Sequence, residues 1–143
     1  MDIEGSCHCG NLKYALSWPG SQVEIPGRAC GCEFCTKHGG VWTSHPEAIL
    51  KYSVSDPNQI SIYQFGTGTA DFHICKRCGV PPFVISEIAC VRYAVVNTNT
   101  FDTPDSLEFI VSDTNFENET VDTRLERRIS KWIKNIQKIE SRA

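Results

Sequence analysis

Seven of the eight cysteines in this chain fall into three tight clusters, and their spacing constrains the fold more than any other feature. Cys7-His8-Cys9, Cys30-Gly31-Cys32-Glu33-Phe34-Cys35 and Cys75-Lys76-Arg77-Cys78 leave only one or two residues between successive thiols. A disulfide between such near neighbours is usually strained, whereas sulfurs so close along a backbone can converge on one ion at about 2.3 Å. The opening Met1-Asp2-Ile3-Glu4-Gly5 has neither the basic region nor the apolar core of a secretory signal. A cytoplasmic or nuclear address is therefore expected, where thiolates stay reduced and available as ligands. Zinc sites, rather than a disulfide framework, follow as the expectation.

Glycine supports the metal reading. Gly10 follows Cys9 and Gly79 follows Cys78, where a zinc knuckle turns sharply and aims backbone N–H groups at its sulfurs. The two half-sites are alike, so Cys7, Cys9, Cys75 and Cys78 are expected to form one closed four-thiolate site. A closed tetrahedron of thiolates is structural, and its binding free energy is folding free energy. The middle cluster offers only Cys30, Cys32 and Cys35, and three protein ligands are the mark of a catalytic zinc with a position left for substrate. Cys90 is a rival fourth ligand, but it sits in the apolar run 88–96, which reads as a strand with Cys90 as a small buried hydrophobe. His38 and His45 are further rivals.

At 143 residues, with 41% hydrophobic and 22% charged side chains, the chain matches one folded domain and not a disordered or repetitive one. No run of 18 apolar residues is present to span a bilayer. Strand signals dominate residues 11–111, at 12–17, 41–44, 49–54, 60–65, 70–74, 83–85, 89–97 and 107–111. The fold class expected is mainly β: small antiparallel sheets pinned by zinc at their turns. From Val121 the period changes. Leu125, Ile129, Trp132, Ile133, Ile136 and Ile139 recur every three or four residues, which predicts an amphipathic helix capped by Thr120 or Asp122. Residues 1–120 are then the zinc-binding β domain, and 121–143 a helix docked on it by its apolar stripe with a solvated basic face. Those last residues hold seven basic and three acidic side chains, while the net charge of the whole chain is −3. The acidic remainder argues against nucleic acid as a partner. Asn118-Glu119-Thr120 matches a glycosylation sequon, which has no meaning without export.

These residues resemble the glutathione-dependent formaldehyde-activating enzymes, whose relatives include centromere protein V. The likeness rests on Gly5-Ser6-Cys7-His8-Cys9-Gly10-Asn11-Leu12-Lys13-Tyr14, on residues 30–40 from Cys30 to Gly40, and on Phe72-His73-Ile74-Cys75-Lys76-Arg77-Cys78-Gly79. Ala94-Val95-Val96-Asn97-Thr98-Asn99-Thr100-Phe101-Asp102 adds a fourth piece. The resemblance implies a β-tent fold with two zinc ions, Cys7, Cys9, Cys75 and Cys78 holding the structural one and Cys30, Cys32 and Cys35 the catalytic one. It also implies a carbon–sulfur lyase acting on S-hydroxymethylglutathione, the adduct of glutathione and formaldehyde. Thr36-Lys37, where the family commonly has two basic residues, and Val80-Pro81-Pro82-Phe83 depart from the pattern.

Zinc held by three thiolates carries a net charge of about −1 and is a soft, weak Lewis acid, suited to a sulfur substrate. Lys37, Arg28 and Arg77 are candidates to neutralise the carboxylates of a small thiol such as glutathione. Glu33 and His38 are candidates to accept a proton or to orient a ligand. The competing expectation is a non-enzymatic module with two structural zincs and a macromolecular partner.

Overall fold

The structure, a computed structural model, describes residues 1–20, 24–102, 107–116 and 118–140. Its strands are β1 (Asp2–Ser6), β2 (Leu12–Ser17), β3 (Glu24–Cys30), β4 (Val41–Thr43), β5 (Ile49–Val54), β6 (Ile60–Tyr63), β7 (Asp71–Cys75), β8 (Phe83–Ile88), β9 (Val91–Asn97), β10 (Glu108–Thr114) and β11 (Asn135–Lys138). Two α-helices, α1 (Glu33–His38) and α2 (Val121–Lys131), interrupt them. The fold is mainly β, as the sequence predicts. One sheet has the order β1-β2-β5-β11 and the other β10-β3-β4-β9-β8-β7-β6. Pairing is antiparallel except at β10 with β3 and β11 with β5, two edge pairs that run parallel. No helix among the described residues is long and apolar enough to cross a membrane.

Alternation builds the core. Along β2, Leu12, Tyr14 and Leu16 are buried while Lys13 and Ala15 face out, the period of a strand with one covered face. Leu12, Leu16, Leu50, Phe83 and Val96 join one apolar cluster fed by both sheets. Gly5 pairs across β1 and β2 with Tyr14, whose ring covers it and whose hydroxyl is 2.8 Å from Thr100 Oγ1. A Cβ on Gly5 would overlap the Tyr14 ring and approach the Thr100 carbonyl oxygen to 2.6 Å. Gly5→Ala is therefore expected to cost about 2 kcal/mol or more through overpacking, read as a lowered urea midpoint at unchanged slope. A midpoint equal to the native one would refute the close approach.

The structure corrects four readings. β1 and β3 are strands where none is predicted: β1 carries two acids and a glycine, and Pro26-Gly27 inside β3 reads as a turn. Pro26 is tolerated because β3 pairs along its length only with the edge strand β10 and meets β4 at just Arg28 and Ala29. Cys90 is exposed, not buried. It lies with Ala89 in the tight turn between β8 and β9, both with positive φ, so the strand begins at Val91. The C-terminal helix stops at Lys131 instead of running on through 143. Trp132 turns out of it, Ile133 exchanges two 2.9 Å backbone bonds with Ala94 of β9, and Asn135–Lys138 then pair with β5. Residues 133–138 thus cross from one sheet to the other; their apolar spacing, read as helical, serves a strand whose Ile136 packs on the core.

The fourth correction concerns which face of α2 is covered. Thr120 caps it as predicted, its Oγ1 accepting from Thr123 N–H at 3.2 Å. Yet Ile129 is 38% exposed and Arg128 only 6%, the reverse of an apolar stripe docked on a core. The basic residues Arg124, Arg127 and Arg128 face the body.

Candidate metal centres and the adjoining cavity

Two groups of cysteine sulfurs converge, in each case within 4.8 Å of one another: Cys7, Cys9, Cys75 and Cys78 in one, Cys30, Cys32 and Cys35 in the other. The first is made by two similar knuckles. After β1, Gly10 at φ +84 lets its N–H reach back to Cys7 O at 3.1 Å, while Leu12 N–H donates to Cys7 Sγ at 3.3 Å. After β7, Gly79 at φ +79 donates to Cys75 O at 2.8 Å. The left-handed conformation at both glycines is what a Cβ would obstruct. Because β1 and β2 belong to one sheet and β7 and β8 to the other, this cluster ties the two sheets together. Cys7 and Cys75 are fully buried; burial raises the Cys7 thiol to about 12, so in isolation it holds its proton.

The second cluster is local. Cys30 ends β3, Gly31 N–H donates to Thr114 O at 2.6 Å, and Cys32 is the N-cap of α1, accepting from Cys35 N–H at 3.4 Å. The Cys-x-x-Cys spacing is that of a cap and the third residue of its helix, which puts both sulfurs at one helix end. Hydrogen bonds from Cys35, reinforced by a backbone N–H and by the positive charge of Arg127, hold Cys30 down at about 5, whereas donating to Cys30 and burial push the Cys35 thiol up. Crowded soft sulfurs that share protons in this way are a donor set that fits a divalent ion drawing them together as thiolates. Neither Cys90 nor any histidine belongs to either cluster among the described residues.

A cavity of about 550 Å³ adjoins the second cluster and is lined by all three of its cysteines; the first cluster contributes nothing to it. Its apolar wall centres on Phe34 of α1, whose ring lies 5.0 Å from Tyr63, 5.1 Å from Phe65 and 4.9 Å from Phe72. Its lining is also cationic, with Arg28 from β3 and Arg124, Arg127 and Arg128 from α2. Glu119 holds this group: Arg127 donates to it twice, at 3.0 and 2.9 Å, and Arg124 Nε lies 3.7 Å away. Arg127 also stacks on Phe116 at 3.7 Å. Arg128 donates to Thr69 O, Thr69 Oγ1 and Ser86 Oγ. Burial, with the charges of Arg127 and Arg124, lowers Arg128 to about 10.

Hydrogen bonds from Arg127 hold the Glu119 carboxyl below its ordinary value of 4.5. A depressed carboxylate stabilises the fold above its unfolded pKa, and that contribution is lost as pH falls through the folded value. Acid titration of the native chain is therefore expected to show a loss of thermal stability below about pH 4.5 that is smaller in Glu119→Gln, whose side chain does not titrate. Identical acid profiles would rule out this coupling.

Of the substrate-binding candidates read from sequence, Arg28 and Lys37 line the cavity. Arg77 does not: it lies beside the four-cysteine knuckle, paired with Asp56 at 3.2 Å. Glu33 lines the cavity and meets Lys37 at 3.4 Å across one helical turn. His38 packs its ring against Phe34 and Trp42, and burial lowers its pKa. His45 packs edge-on to Trp18 and accepts from Glu47 N–H. The arginines of α2 and the aromatic wall are the residues that sequence reading misses. Their one visible signal is the Arg124, Arg127, Arg128 spacing, which reads equally as a solvated face.

Two sheets joined by a four-thiol cluster, with a second thiol cluster at the floor of a cavity, define a β protein built around two candidate metal centres. The chain belongs to the glutathione-dependent formaldehyde-activating enzyme family, whose model matches residues 2–114. A Rhodobacter sphaeroides protein of known crystal structure shares the fold at a TM-score of 0.53 and 23% identity, over 78% of this chain and 99% of that one. α2 and β11 lie beyond the matched span.

Proposed function

We propose that this protein is a zinc-dependent carbon–sulfur lyase that makes and breaks the adduct of a small thiol such as glutathione with formaldehyde, S-hydroxymethylglutathione. The observation that carries the reading is that the cavity is lined by Cys30, Cys32 and Cys35 and by none of the four cysteines of the other cluster. We assign a structural zinc to Cys7, Cys9, Cys75 and Cys78 and a catalytic zinc to Cys30, Cys32 and Cys35. The catalytic ion would supply a soft coordination position that favours a substrate sulfur as thiolate. In the forward direction the thiolate sulfur attacks the carbonyl carbon and the carbon–sulfur bond forms. The π pair of the carbonyl moves to its oxygen, which takes up the proton the thiol released; cleavage is the reverse. Glu33, the only acid among the described residues lining the cavity, is the candidate to carry that proton. Phe34, Trp42 and Phe72 keep water from the reacting carbon, and holding both reactants in one cavity supplies much of the rate.

A non-enzymatic module with two structural ions gives no reason for a cavity lined by all three cysteines of one cluster. The test is elemental zinc on protein purified without chelator, together with exchange between ¹³C-formaldehyde and its glutathione adduct followed by NMR. About two zinc ions per chain and accelerated exchange are expected. One ion or fewer with exchange at the uncatalysed rate would overturn the proposal.

A further inference from the structure

The covered face of α2 is basic, and burying arginine without an equal number of acids is costly unless something else supplies the charge. Around the cavity stand Arg28, Lys37, Arg124, Arg127 and Arg128, with Glu33 the only acid among the described lining residues. Glu33 is paired with Lys37, and Glu119 is shared between Arg124 and Arg127, which among the described residues leaves the arginines with a surplus of positive charge. Several lining residues carry buried polar atoms with no hydrogen-bond partner among the described residues, Thr114 Oγ1 and Arg124 Nε among them. Arg128 and Trp132, each 6% exposed and both lining the cavity, have a buried Nε and a buried Nε1 with no acceptor among the described residues. Buried donors are nearly always paired, so their orphaning beside a cavity points to a ligand that accepts. Much of the remaining lining is apolar and aromatic. A volume of about 550 Å³ is in the range of pockets that enclose ligands far larger than a one-carbon aldehyde.

Resting on the lyase reading above, we propose that this cavity is selective for thiol adducts that bear a carboxylate, which α2 recognises, and carry an aromatic group on sulfur. Arg127 and Arg128, the latter with its unpaired Nε, hold the carboxylate; Phe34 and Trp42, neighbours of the cysteine cluster, hold the ring. Both arginines are fixed beforehand, Arg127 by Glu119 and Phe116 and Arg128 by Thr69 and Ser86, so a carboxylate meets positioned charge and the unpaired Arg128 Nε. The rings present faces and edges to a planar group beside the sulfurs. The carboxylate half of this selectivity rests on α2, beyond the residues the family model matches, and the aromatic half on Phe34 and Trp42 within them.

The test is calorimetric binding of three unreactive thioethers to the native protein: S-benzylglutathione, its diethyl ester and S-methylglutathione. S-benzylglutathione is expected to bind at least about ten-fold more tightly than either of the others. In Arg127→Gln the acid should weaken to the level of the ester, while the ester's own affinity stays unchanged. Equal affinity of acid and ester overturns the carboxylate assignment, and equal affinity of the benzyl and methyl compounds overturns the aromatic one. If Arg127→Gln does not fold, the ester comparison on the native chain still decides. None of these compounds can release an aldehyde, so the result separates from the lyase reading. Zinc-poor, inactive protein that binds S-benzylglutathione selectively refutes the lyase alone; an active formaldehyde lyase that ignores the benzyl group refutes this inference alone.

Discussion

Cys32→Ser is expected to abolish turnover, by about three orders of magnitude or more, and to lower the zinc content by about one ion per chain while the fold persists. A serine hydroxyl is a hard, protonated group at neutral pH and a poor replacement for a thiolate on a soft three-sulfur centre. With two sulfurs left, the cluster can no longer hold an ion against solvent. The fold should survive because the position of Cys32 asks only for a helix cap: its Sγ accepts from Cys35 N–H, and serine accepts better there than sulfur does. Far-UV circular dichroism and the urea midpoint should stay near native while elemental analysis and the exchange assay collapse. Full activity in a protein that has lost this ion would remove the catalytic assignment.

Cys78→Ser should behave in the opposite sense. It spares the cavity and attacks the joint between the two sheets, since Cys78 belongs to the knuckle that meets Cys7 and Cys9 across the sheet boundary. Structural zinc in small domains contributes about 10–16 kcal/mol of apparent binding free energy, which is as large as the whole stability of a typical domain, about 5–15 kcal/mol. The expected result is loss of most soluble protein and, for what remains, a broad, non-cooperative thermal transition. Strong chelator should produce the same state in the native chain. A stable, soluble Cys78→Ser protein would count decisively against the structural role.

The two predictions diverge because the clusters differ in what they join. Cys30, Cys32 and Cys35 lie within six residues and depend on one strand end and one helical turn, so their convergence is local and readable in the sequence. The four-cysteine group was also legible, since the glycines after Cys9 and Cys78 mark matching knuckles. The cavity was not. Its cationic lining comes from residues 124–128 and its aromatic wall from residues 34–72, and nothing local announces that they meet. Arg77 shows the same limit from the other side, being close to cysteines in sequence yet remote from the cavity.

Local chemistry, then, determined what the sequence alone could determine: thiol spacing and glycine placement dictate the clusters, and two-residue alternation dictates the strands. Tertiary structure decided which face of α2 is covered and how the chain ends. The apolar period at Leu125, Ile129 and Ile133 signals a buried stripe, but α2 meets the acceptors Glu119, Thr69 and Ser86 rather than an apolar core, so its arginines turn inward. Likewise Asn135–Lys138 becomes a strand because β5 offers an open edge, and a free edge of backbone donors and acceptors overrides a weak helical preference.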